Sequence, residues 1–289
     1  MRRDSDGARS LGIRDADGLF DILQTEVFPK IISIGTFYLP TYGVLVALGF
    51  LAGLWVTVKL ARRSGLNAEL ITNLAVYSAL AGLLGAKILM LIFDWGAPDK
   101  PPIFSLSTLQ AAGVWQGGFI LAVLVAFLYM RQNKLPLLTT FDVFAPGVAL
   151  GHAIGRVGCF AAGCCWGNEC TLPWAVTFHN PEAAELTGVP LGRPLHPSQL
   201  YEVLSELAVF AFLYWWFQKP HAPGKIIGGY LLLSSITRFC IEFTRFHEQG
   251  LHYGLSWTQW ISVALAVAGM LLLARSSVPS AKVSPPVVA

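Results

Sequence analysis

The chain has 289 residues and a formal net charge of +3; 54% of its residues are hydrophobic, 13% are charged, and the mean hydropathy is +0.58. That balance excludes an ordinary soluble domain, in which about a quarter of residues are charged. Eighteen Phe and nine Trp suit the aromatic belts of a bilayer protein, and no basic run interleaved with aromatics points to nucleic acid.

Residues 1–27 mix acids, bases and glycine, with no apolar stretch leading to a small-residue cleavage site. They read as a flexible N-terminal tail rather than a secretory signal. Seven apolar segments follow, at about 41–60, 71–93, 113–130, 141–162, 199–218, 226–244 and 257–274. Each approaches the ~20 residues needed to cross ~30 Å of hydrocarbon. The end of the chain, 276–289, is rich in Ser, Pro and Val and reads as a second flexible tail. The two halves show no convincing internal similarity, which weighs against the repeat architecture of many transporters. The expectation is an all-α integral membrane protein of seven transmembrane helices, one domain over 28–275.

Loop charges set an expected orientation. Lys59, Arg62 and Arg63 follow the first segment, Arg131 and Lys134 the third, Lys219 and Lys225 the fifth, and Arg275 the seventh. The alternate loops carry Asp94, Asp99, Glu169, Glu182, Glu185 and Glu248. Basic short loops face the cytoplasm. The N-terminus is therefore expected outside (periplasmic) and the C-terminus inside, with the long 163–198 loop outside.

The polar interruptions come next, in chain order. Gly113 to Gly118, with Gln116 between, reads as a turn before the third span. His152 and Arg156 lie four residues apart on one helical face, among Gly151, Gly155, Gly158 and Gly163. A guanidinium keeps its charge at any accessible pH, and burying one at the bilayer centre costs roughly 2.5 to 3.5 kcal/mol on insertion scales. Arg156 therefore implies an anionic partner, either a lipid head group or, in a tight glycine-lined helix crossing, a buried acid. Leu195 to Glu202 opens the fifth span, with Pro197 suited to a first turn and His196 a candidate proton acceptor. In the sixth, Arg238, Glu242 and Arg245 are spaced four and then three apart, as one helical stripe. Glu242 would there hold both guanidiniums while each keeps donors free for phosphate.

Cys159, Cys164, Cys165 and Cys170 form a C-x4-C-C-x4-C run that matches no standard zinc spacing and has no histidine pair. Small-residue packing is the favoured reading there. A disulfide from Cys164 or Cys165 to Cys170 is the alternative outside the cell.

In this order the motifs resemble prolipoprotein diacylglyceryl transferases, a bacterial inner-membrane family. The likeness is carried by Phe28 to Gly35, Tyr42-Gly43, Gln116-Gly-Gly118, Gly155-Arg156-Val-Gly158-Cys-Phe160 continuing to Trp166-Gly167, His196 to Glu202, and Arg238 to Arg245. The resemblance implies a multi-pass protein of the cytoplasmic (inner) membrane with its active site toward the outer leaflet. It also implies transfer of the diacylglyceryl group of phosphatidylglycerol to the lipobox cysteine of a prolipoprotein, with glycerol phosphate leaving. Arg156, Arg238 and His196 are then the expected catalytic residues. Tyr42, Gln116, Gly158, Gly167, Glu242 and Arg245 join the two arginines in binding phosphatidylglycerol. The expected partners are that lipid, prolipoprotein signal peptides and membrane lipids, with no metal or other cofactor. Four positions depart from the family pattern. The family's His before Gly-Gly is Gln116, its Asn after the arginine is Cys159, a later polar residue is Cys164, and a Tyr before the second arginine is Ser234. The proton acceptor then moves to His196 or His152, or catalysis rests on the arginines. An anionic-phospholipid transporter or binding protein without transferase activity is the alternative, and a thiol–disulfide membrane enzyme a third reading.

Overall fold

The computed structural model describes residues 24–25, 27–34, 37–94, 113–246 and 251–275. Long helices dominate it: α1 (Thr41–Arg63), α2 (Ala68–Phe93), α3 (Trp115–Gln132), α4 (Leu137–Ala162), α6 (Ser198–Phe217), α7 (Lys225–Glu242) and α8 (Trp257–Ala274), with a short α5 (Pro181–Thr187) between α4 and α6. Among the described residues, α1, α2, α4, α6 and α8 are long and apolar enough to cross a membrane. Polar Gln116, Arg131 and Gln132 occupy the ends of the 18-residue α3, and α7 carries Lys225, Arg238 and Glu242.

The helices pack as a chain of neighbours: α3 on α2, α1 on α4, α4 on α6, and α7 between α6 and α8. In lipid, apolar contact alone drives little association, so close approach of small residues carries the packing. A Cβ added to Gly53 of α1 would stand 2.5 Å from the Gly147 carbonyl oxygen of α4. Gly85 of α2 and Gly117 of α3 meet as closely, each facing the other's carbonyl. The segment expected to be a turn is therefore the start of a helix: Gln116 is the second residue of α3, and the paired glycines are its contact with α2. Turn-like composition misleads here because close helix packing selects glycine as strongly as a turn does.

The buried core at one end of the bundle joins Val56 and Leu60 of α1, Val143 and Ala149 of α4, Leu213 of α6 and Ile226 of α7. Asp142 of α4 is 2% exposed and accepts from the Gly224 and Ile227 amides at 2.6 and 2.8 Å. It thus satisfies orphan donors at the start of α7 from a different helix.

The 163–198 segment is a folded layer rather than an open loop. Strands β1 (Gln24–Thr25), β4 (Val176–Phe178) and β5 (Pro194–Leu195) form a small sheet in the order β1-β4-β5. A hairpin of β2 (Lys30–Ile34) and β3 (Phe37–Pro40) leads into α1. Val27, Val176, Phe178, Ala183 and Leu195 make a second, separate core. Asn180 caps α5 and donates to the Val27 carbonyl at 2.7 Å. Lys30 lies 2.6 Å from Glu182, and that hydrogen bond raises the lysine pKa. The all-α expectation missed these strands because pieces of two to five residues are too short to show a period-two pattern. The chain is already ordered at Gln24, Thr25 and Val27, while residues 1–23 and 276–289 of the expected tails lie outside the described residues.

Candidate active site

Four long helices bring polar residues to the end of the bundle covered by the 163–198 layer. Arg156 and His152 lie on the last turns of α4, Glu202 and Glu206 on the first turns of α6, and Arg238 and Glu242 on the last turns of α7. Ser256, the N-cap of α8, donates to Glu242 Oε1 at 2.8 Å and receives the Gln259 amide in a capping box.

The centre of the network is Glu202. Its carboxylate meets Arg156 Nε at 2.6 Å, Arg245 Nη1 at 3.1 Å and Arg238 Nη1 at 3.8 Å. Its side chain is 3% exposed, whereas the three arginine side chains are 18 to 23% exposed. A buried carboxylate thus gathers three guanidiniums whose outer edges reach the surface. Arg238 Nη1 also pairs with Glu242 Oε2 at 2.5 Å. His152 stands between acids, with Nε2 at 3.7 Å from Glu202 and Nδ1 at 3.4 Å from Glu206, and it accepts from Arg156 Nε at 3.2 Å. Ser234, at the family's tyrosine position, donates to Glu206.

The expected helical stripe of Arg238, Glu242 and Arg245 is broken at its end. Helix α7 stops at Glu242, and Arg245 follows in a turn closed by its amide on the Glu242 carbonyl. Arg245 is bridged as an isolated β-pair to Gly167, which ties the outer layer to α7. Only glycine fits there: an added Cβ would stand 2.5 Å from Ser198 Oγ and 2.6 Å from His196 Cβ. Gly158 is buried beneath the half-exposed Tyr42 ring of α1, 3.3 Å from the position a Cβ would take.

Two expected residues stand apart from this network. His196 precedes α6 and its Nδ1 lies 3.2 Å from Tyr201 Oη, which also accepts from Trp174 Nε1. Its main chain brackets the Gly167–Asn168 segment. Gln116 is exposed on α3, which packs principally on α2. Among the described residues, His152 is the histidine that touches the arginines. Of the two partners expected for Arg156, the structure shows the buried acid, Glu202, beside close glycine packing. The sequence reading passed over Glu202 and Glu206 as site residues. Two acids four apart within an apolar span were the available signal.

The cysteines carry no disulfide. Cys159, Cys164 and Cys165 converge beside Arg156, whose Nη1 is 3.9 Å from Cys159 Sγ. In the layer beyond α4, hydrogen bonds from the Cys159 and Cys164 thiols, helped by Arg245 and Arg156, lower the Cys165 pKa. The Cys164 thiol is pushed up in return by the same neighbours.

Long apolar helices around a buried arginine–carboxylate network at one end define a multi-pass membrane protein with a polar site at one face. The profile described as Prolipoprotein diacylglyceryl transferase matches residues 29–275, and the chain belongs to that family. Phosphatidylglycerol–prolipoprotein diacylglyceryl transferase 2 of Clostridium perfringens is 32% identical over 232 residues, covering 80% of this chain and 89% of that protein. The transferase of Bordetella parapertussis is 31% identical over 261 residues (84% and 93%), and that of Methylobacillus flagellatus 32% over 263 (87% and 97%).

Proposed function

We propose that this chain transfers the diacylglyceryl group of phosphatidylglycerol to the thiol of a lipobox cysteine in a prolipoprotein. The observation that carries this, within the family, is the convergence of Arg156, Arg238 and Arg245 on Glu202. Each guanidinium has five N–H donors, more than its described contacts use, and the surplus is available to a phosphodiester.

The substrate sulfur attacks the glyceryl carbon bonded to the phosphate oxygen. The C–S bond forms as the C–O bond breaks, and glycerol phosphate leaves with the electron pair. Arg156 and Arg238 stabilise charge growing on the leaving phosphate, an effect worth about 2.7 to 4 kcal/mol per donor in comparable sites. His152, touching both Arg156 and the carboxylates, receives the thiol proton. Tyr42, packed over Gly158, and Gly167, bridged to Arg245, flank the lipid phosphate, Glu242 orients Arg238, and Arg245 closes the site from the α7 end. His196 holds the outer layer through Tyr201, and Gln116 serves the lipid-facing approach.

We read all seven long helices as spans of one domain over 28–275, in a bacterial cytoplasmic membrane. Arg62 and Arg63 end α1 at the side opposite the site, which supports a cytoplasmic basic face and an active site toward the outer leaflet. The test is purified protein with labelled phosphatidylglycerol and a lipobox peptide, read by mass spectrometry. A thioether-linked diacylglyceryl peptide and free glycerol phosphate are expected. Lipid binding without either product would leave an anionic-lipid binding protein instead.

A further inference from the structure

We propose that Cys159, Cys164 and Cys165 form a binding site for a thiophilic closed-shell cation, zinc(II) or copper(I), on the outer side of α4. The three sulfur atoms all lie within 4.8 Å of one another. An ion bonded to three thiolates at about 2.3 Å places the sulfurs about 4 Å apart, so the trio needs only a small contraction. A disulfide would demand about 2.0 Å between two of them, and all three are free.

Neighbouring elements hold the trio together. Cys159 is on the last turn of α4, and Gly163, at φ 72°, turns the chain back over it. The Cys164 amide then donates to the Cys159 carbonyl at 3.0 Å. Cys165 itself has φ 62°, a left-handed conformation that strains a side-chain-bearing residue. From α6, Gln199, itself 1% exposed, donates to the Cys164 carbonyl at 2.6 Å and pins the vicinal pair. The linear spacing hides the cluster because it is the helix end and the left-handed turn that fold four residues back.

The donor set selects the ion. Thiolates alone favour zinc(II) or copper(I) over magnesium or calcium. Three thiolates around either cation leave net negative charge, and Arg156, with Nη1 at 3.9 Å from Cys159 Sγ, offsets it. Three protein ligands leave a coordination position open. The proposal stands independently of the transferase reading.

The test uses the full chain, purified reduced in nanodiscs and incubated with zinc chloride alone or with a copper(I) complex alone, then alkylated and mapped by mass spectrometry. A single equivalent of zinc or of copper(I) is expected to protect Cys159, Cys164 and Cys165 while Cys170 and Cys240 react. Cadmium is expected to give a thiolate charge-transfer band that Cys164→Ser and Cys165→Ser each abolish and Cys170→Ser keeps. Those two serine variants leave the buried Cys159 in place, so a Cys159→Ser variant that fails to fold does not compromise the test. The proposal is overturned if neither metal protects the trio, if the band survives in either serine variant, or if alkylation directly in membranes finds two of the three joined as a disulfide.

Discussion

Glu202→Gln is the most informative single change, because it removes one charge from the point where three cations meet. The substitution keeps the side chain's shape and one acceptor oxygen, so packing is preserved. At about 4 Å and an effective dielectric near 20, one unit pair is worth ~4 kcal/mol before desolvation. Glu202 has Arg156 and Arg245 within that distance and Arg238 at 3.8 Å, and it is 3% exposed. Breaking a buried pair by removing one partner costs about 3 to 5 kcal/mol. The expected loss of stability is at the lower end, ~3 kcal/mol, because the arginine edges are partly solvated and Glu242 still holds Arg238. The guanidiniums should also spread apart, and a displacement of about 1 Å at a reacting centre costs on the order of a hundredfold in rate. Arg156→Ala is the matched control. It leaves Glu202 paired with Arg245 and Arg238, so stability should fall less while the rate falls about 10²- to 10³-fold. Thermal unfolding in nanodiscs and lipidation of a lipobox peptide read the two quantities. Wild-type rate and stability in Glu202→Gln would refute the reasoning, since no hub charge would then be needed.

Other changes separate chemistry from scaffold. His152→Gln should lower kcat by about 10²- to 10⁴-fold with phosphatidylglycerol binding retained, and an unchanged kcat would remove His152 as the proton acceptor. Asp142→Ala should destabilise the fold by about 1 to 3 kcal/mol, measured by thermal unfolding, because the buried amides of Gly224 and Ile227 lose their acceptor. Gly85→Leu should part α2 from α3 and cost about 1 to 3 kcal/mol, and a variant as stable as wild type would contradict the close backbone contact with Gly117.

The sequence by itself determined the membrane class and, among the described residues, the places of seven long helices to within a few residues at each end, five of them long and apolar enough to cross a membrane. Hydropathy over 20 residues is a local property, and lipid enforces it strongly enough for composition to reveal it. It also singled out Arg156 and Arg238, because a guanidinium in an apolar run is costly wherever it lies. What local pattern could not decide is which residue each cation meets. Glu202 looked like one member of a helix-start motif until α6 was placed between α4 and α7. Arg245 fitted a helical stripe in the sequence, but α7 ends at Glu242 and the arginine turns back to Gly167. The thiols at 159, 164 and 165 have no recognisable spacing, and only the left-handed turn after α4 makes them neighbours. His196 and His152 were equivalent candidates by residue type; distance to the arginines separates them. In each case the deciding quantity is a contact between segments far apart in the chain. Such a contact depends on helix order and packing angle, which no local spacing encodes.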